Sequence, residues 1–228
     1  MTATRASFKS FSDQPIPAIL YVDTSFVVDA LIKGQRFHTK SLAFIDTLAK
    51  DPKNQPILIF SDLLEVELRC AIISNCIRND FGKSANVKDI LAKDPNLIPK
   101  YYSVVEDAKK QLEGILQRFT HWASVRITEE IIEKAGVLMV QYRLGSYDAI
   151  HIATMEKWDI NDIVVYDGGI EDLPKYKTSC IIWTRKGWAK YIGRESRRKG
   201  NKVAEQAIKQ AEELVKTEDD KDRVTQVE

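Results

Sequence analysis

Four acids invite a chemical reading: Asp23, Glu67, Asp148 and Asp167. Asp23 closes the apolar run 19–22 and is followed by two hydroxyls, Thr24 and Ser25. Asp167 closes the run Ile163-Val164-Val165-Tyr166. If those runs are neighbouring parallel strands, both carboxylates leave the sheet on one edge, where open α/β sheets bind ligands. Asp148 falls in the first turn of a helical pattern and Glu67 about a turn and a half into another. Both helices could start at that edge. Carboxylates gathered in a low-dielectric site repel one another and raise each other's pKa. A divalent cation removes the conflict, and all-oxygen ligands suit Mg²⁺ or Mn²⁺ rather than zinc. Such an ion polarises a phosphodiester and acidifies the water that attacks it.

Each acid also has a structural explanation. Asp148 could answer a helix dipole, Asp167 before two glycines could be a turn residue, and Asp23 could cap the next helix. Glu67 resists this treatment. It shares a stripe with Leu63, Leu64, Cys70 and Ala71, and an acid on the inward face of a helix is costly unless something positive meets it. Its neighbour Glu65 needs no such partner. Asp62 and Glu65 have the form of a capping box, and Glu65 precedes Arg69 by four, the favourable order for a surface ion pair.

The elements that must position these acids alternate between strand and helix. The apolar runs 19–22, 56–60, 163–166 and 179–183 read as buried strands, and 125–127 as a brief one. Helical spacing covers 26–32, the stretch from Leu42 to Ala49, a helix opened by Ser61-Asp62, and 101–122. A further helix is capped by Thr128, with Glu129 and Glu130 in its first turn and a stripe of Ile131, Ala135, Leu138, Met139 and Tyr142. Gly145 suits the stop of that helix and Ser146 the cap of the next, which carries Asp148. This order predicts an α/β fold with a mostly parallel central sheet covered on both faces. The expected organisation is a flexible leader over 1–17, a domain over 18–184 with an insertion or long loop at about 77–100, and a tail over 185–228.

The composition narrows the class further. The net charge of +1 and hydrophobic content of 44% are ordinary for a globular chain. Cys70, Cys76 and Cys180 are an odd number without Cys-x-x-Cys spacing, which speaks against zinc and a disulfide framework. Cys70 and Cys180 read as core residues. The sequence contains no run of 18 apolar residues and no signal-like start, so a cytoplasmic location without membrane attachment is expected. No phosphate-binding glycine motif is present. His151, three residues after Asp148, reads as a packed histidine. Asp29 reads as a surface residue, and Asp172 as a possible neighbour of the metal. The tail is basic from Arg185 to Lys199, with Trp188 and Tyr191 interleaved, then polar and acidic. Either RNA contacts or a solvated extension would account for it.

Four segments carry a family resemblance: Tyr-Val-Asp-Thr-Ser (21–25), Ser-Asp-Leu-Leu-Glu-Val-Glu-Leu-Arg (61–69), Tyr-Asp-Ala-Ile-His-Ile-Ala-Thr (147–154) and Val-Val-Tyr-Asp (164–167). Their order resembles that of PIN-domain proteins, most of all the VapC toxins of toxin–antitoxin pairs. The family's glutamate falls six residues after the serine that follows the second strand, which selects Glu67, in agreement with the helix-face argument. The resemblance implies a three-layer α/β/α sandwich and an Mg²⁺- or Mn²⁺-dependent ribonuclease. Asp23, Glu67, Asp148 and Asp167 would be its metal-binding acids, with Thr24 or Ser25 supporting the site. It also implies an RNA substrate, a cognate antitoxin partner and a homodimer. Residues 77–100 and the tail depart from the family pattern. The competing reading is a PIN-like module that binds RNA or a partner without cutting. A haloacid-dehalogenase-like hydrolase would want an acid two residues after Asp23, where Ser25 stands.

Overall fold

In the computed structural model, six short strands join in one all-parallel sheet of order β1-β6-β5-β2-β3-β4. The structure describes residues 7–12, 15–166, 170 and 180–184. The strands are β1 (Ser7–Lys9), β2 (Ile19–Val22), β3 (Ile57–Ser61), β4 (Trp122–Val125), β5 (Asp162–Val164) and β6 (Ile181–Trp183). Seven helices connect them among the described residues: α1 (Thr24–Leu31), α2 (His38–Ala49), α3 (Leu63–Phe81), α4 (Val87–Lys93), α5 (Leu97–Leu116), α6 (Glu129–Tyr142) and α7 (Ser146–Lys157). Parallel neighbours need long crossovers, and helices supply them.

Strand periodicity sorts the side chains into the three layers expected of an α/β/α sandwich. Leu20, Val22, Leu58, Phe60 and Val164 pack into one core with α1, α2, α3 and α5. Tyr21 and Ile163, one residue out of phase, pack into the other with α6 and α7. Alternate residues of a strand face opposite sides of the sheet. Because both faces are covered, the strands read as continuous apolar runs. β2 lies between β5 and β3, and the chain leaves it toward β3 on one side while β5 returns on the other. This reversal in strand order makes the end of β2 the switch point where α/β sheets open a crevice.

Several local expectations change. Residues 77–100 are not a long loop: α3 continues to Phe81, Asn86 caps α4 by accepting from Lys88 N and Asp89 N, and α5 begins at Leu97. Ile77, Leu97 and Tyr101 form a small separate core there, backed by Val87, Ile90 and Leu91. α4 buries no residue fully, so it has no full apolar stripe for a periodicity argument to find. Gly82 ends α3 at φ 97°, a left-handed conformation that glycine tolerates at low cost.

Residues 7–9, assigned above to the leader, form an edge strand: Ser7 N donates to Cys180 O and Thr184 N to Lys9 O. The strand foreseen at 125–127 starts earlier, at Trp122, in register with Leu58. Asp62 does not close a capping box; its carboxylate accepts from Ile127 N at 3.2 Å and ties α3 to the end of β4. Thr128 caps α6 as expected, accepting from Ile131 N, although Met139 of its stripe is exposed. Arg143, not Gly145, takes the left-handed position after α6, and Gly145 is the N-cap of α7. Cys180 is buried but Cys70 is exposed. Among the described residues no helix is long and apolar enough to cross a membrane.

Candidate active site

The end of β2 delivers Asp23 into a buried polar cluster. Asp23 N donates to Val164 O at 3.1 Å, which locks the ends of β2 and β5 together. The Asp23 side chain caps α1, where Oδ1 accepts from Ser25 N at 2.8 Å and from the Ser25 hydroxyl. Ser25 Oγ in turn accepts from Tyr166 N at 3.0 Å. Asp23 therefore does cap a helix, as its structural explanation required. The cap engages one carboxylate oxygen and leaves Oδ2 to face elsewhere.

That second oxygen and a Glu67 carboxylate oxygen both approach His151 Nε2. Thr24 Oγ1 donates to Glu67 Oε2 at 2.5 Å, so the two residues after Asp23, Thr24 and Ser25, orient one acid each. His151 Nε2 lies 3.3 Å from Asp23 Oδ2 and 3.3 Å from Glu67 Oε2, at ion-pair distance from both but aligned as a hydrogen bond to neither. On its other side, His151 Nδ1 shares a 2.9 Å hydrogen bond with the Tyr21 hydroxyl. A bare nitrogen lone pair facing two carboxylate oxygens would be repelled, so Nε2 carries its proton.

The electrostatics follow from burial. Asp23 is 5% exposed and His151 2%. Burial drives the Asp23 pKa up, against the opposing pull of His151 and Ser25. Burial alone would lower that of His151, but Glu67, Asp23 and Asp148 together outweigh it and hold it above its ordinary value. Burial likewise keeps the Tyr21 phenol protonated. Among the described residues, Asp23 and Glu67 have no ion-pair partner besides His151.

Asp148 enters from the first turn of α7 and lines the same cleft as Asp23, Glu67 and His151. A Cβ on residue 145 would stand 3.0 Å from Asp148 Oδ2, so glycine at the N-cap lets this carboxylate fold over the helix start. Three of the four expected acids thus share one cleft. Asp167, Asp172 and the basic tail lie outside the described residues. His151 is packed, as expected, but the packing places it between two acids. Its signal was present in the i,i+3 spacing from Asp148, which puts both on one helix face. Asp29 is not a simple surface residue. It is half-buried in the same cleft, and burial pushes its carboxyl up to about 6 despite opposition from His38 and the Phe37 backbone.

No three His, Cys, Asp or Glu side chains form a complete coordinating group among the described residues. The donors that are present nonetheless fit a divalent cation. Asp23, Glu67 and Asp148 line one cleft and offer only oxygen, and the Asp23 and Glu67 carboxylates gather beside the His151 N–H with no lysine or arginine among the described residues to neutralise them.

The family model described as PIN domain matches residues 20–176, and the chain belongs to the PIN-domain family. Among solved structures, VapC20 of Mycobacterium tuberculosis, described as a Sarcin-Ricin loop cleaving toxin, is 17% identical. The alignment covers 65% of this chain and 90% of that one, with a TM-score of 0.40. No curated protein matches.

Proposed function

We propose that this protein is an Mg²⁺- or Mn²⁺-dependent endoribonuclease. The observation that carries the proposal is the convergence of Asp23 and Glu67, buried or nearly so, at the switch point of the sheet of a PIN-domain chain. A pure binder of RNA has no reason to gather negative charge against phosphate. Asp23 and Glu67 would hold the cation, with Asp148 and Asp167 completing the acidic shell or orienting water. When bound, the cation would supply charge neutralisation at the phosphodiester and acidify the attacking water. Ser25 and Thr24 fix the two carboxylates, and His151, held by Tyr21, keeps them from swinging apart. In-line attack by water would leave a 5′-phosphate and a 3′-hydroxyl. The segment resemblance to VapC proteins supports a cytoplasmic toxin that forms a homodimer and has a cognate antitoxin.

Cleavage of a mixed cellular RNA pool tests this reading, with wild type and Asp23→Asn each incubated with Mg²⁺, Mn²⁺ or EDTA. Metal-dependent cutting by wild type and background cutting by Asp23→Asn are expected. Equal cutting by the variant would overturn the assignment of Asp23. Tight RNA binding without cutting under any condition would favour the non-cleaving module instead.

A further inference from the structure

The cleft that holds the acids does not end at them. Its volume is about 640 Å³, within the usual range for a small-ligand site. One arm runs away from Asp23 between α1 and α3. Ser25, Val28 and Asp29 line it from α1, at i, i+3 and i+4; Glu67, Cys70 and Ala71 line it from α3 with the same spacing. Each set therefore forms one face of its helix. Gln35, on the turn after α1, closes the far end by donating from Nε2 to Asn75 Oδ1 at 3.3 Å, one turn of α3 beyond Ala71.

The chemistry of this arm selects its occupant. Among the described residues, neither lysine nor arginine lines the cleft. A phosphate would find no cation in the arm and would meet a carboxylate. The neutral part of a nucleotide fits better. Val28 and Ala71 offer an apolar surface, and Asp29 and Gln35 offer polar groups at its inner end. Asp29 stands six residues past Asp23, about 9 Å along the helix axis at a rise of about 1.5 Å per residue. That is within reach of a base whose own phosphate sits at the acids. On the opposite rim, Tyr147 is half exposed and presents a ring on which a neighbouring base can stack.

We propose that the arm ending at Asp29 and Gln35 is a nucleobase subsite that selects an amino-bearing base next to the cleaved bond and disfavours uracil. This rests on the ribonuclease reading. Proteins read single-stranded RNA by splaying bases out and bonding their Watson–Crick edges. A carboxylate accepts from the exocyclic amine of cytosine, as it does in base-edge recognition generally. Adenine and guanine offer comparable amines. Uracil offers a single N–H between two carbonyls, which the carboxylate repels.

Two measurements separate this subsite from the nuclease reading. In the first, wild type, Asp29→Asn and Gln35→Ala cut a random RNA library with Mn²⁺, and the new ends are sequenced. Wild type should favour amino-bearing bases over uracil by about tenfold at one fixed position beside the cut, and both variants should flatten that preference. An end distribution identical in all three proteins overturns the subsite. In the second, binding of five-nucleotide oligomers of C, A or U is measured with Ca²⁺ in place of Mn²⁺, so that the acids are neutralised, and only oligomers recovered uncut are counted. Wild type should bind the C and A oligomers more tightly than U, and Asp29→Asn should not discriminate. If no RNA is cut but this discrimination appears, the nuclease reading fails and the subsite stands. Equal binding of all three oligomers by wild type overturns the subsite. Gln35→Ala guards against a folding defect in Asp29→Asn, since the two residues belong to different elements.

Discussion

The end of β2 and the α3–α4–α5 outgrowth treat charge in opposite ways. In the outgrowth, Asp80 lies on the surface, bonded by Lys100 Nζ at 2.8 Å and by the Tyr101 hydroxyl at 2.6 Å. Those partners hold its carboxyl below the usual range. At the end of β2, Asp23 is buried, carries a raised pKa, and shares with Glu67 a histidine as its ion-pair partner among the described residues. One region uses charge where water already solvates it, so its fold rests on the apolar contacts of Ile77, Leu97 and Tyr101. The other keeps charge largely away from water, at a cost to stability that Ser25, Thr24 and His151 offset in part and a cation would offset further. Acids that are buried and underpaired mark the functional edge; acids that are exposed and well paired do not.

Three substitutions press on that contrast, in falling order of effect. Ile77→Ala should cost about 3 kcal/mol of stability, the usual loss for a fully buried aliphatic side chain. Urea unfolding would measure it, and Mn²⁺ binding should stay unchanged if the outgrowth and the acidic edge are energetically separate. A matching loss of Mn²⁺ affinity would show them to be one unit.

His151→Leu should weaken Mn²⁺ binding by about 10–100-fold, the range found when a group that orients metal ligands is removed. Electron paramagnetic resonance of free Mn²⁺ would follow the affinity, and His151→Gln should recover part of it by restoring an N–H near the carboxylates. Unchanged affinity in His151→Leu would reduce this histidine to a packing residue.

Lys100→Ala should leave the unfolding midpoint where it was, because exposed ion pairs contribute little. A clear drop would mean that the outgrowth depends on this pair after all.

Much of the framework is legible in the amino-acid order. The runs at 19–22 and 56–60 contain enough β-branched and aliphatic residues to specify buried strands. Thr128 before Glu129 and Glu130 specifies a helix start. The position of Glu67 on an otherwise apolar stripe of α3 marks it as an acid in need of a partner. Legibility fails where the stabilising contact is small or distant. α4 packs three residues against a satellite core, too few for a period. The edge strand Ser7–Lys9 exists because β6 offers an open row of backbone groups, which nothing in residues 1–17 announces. Asp62 looks like a cap by its spacing, but the Ile127 N–H, 65 residues away, takes its carboxylate.

The sequence by itself determined most of the strands and helices around the acidic edge and which acids stand at their ends, because those follow from local periodicity and from the chemistry of chain termini. Tertiary structure decided which of those ends meet. Placing β2 between β5 and β3 brings His151 to Tyr21 across 130 positions, and Glu67 to Thr24 across 43. No local pattern encodes such a meeting. It arises because both faces of the sheet must be covered, and the strand order that covers them carries the polar strand ends to a single edge.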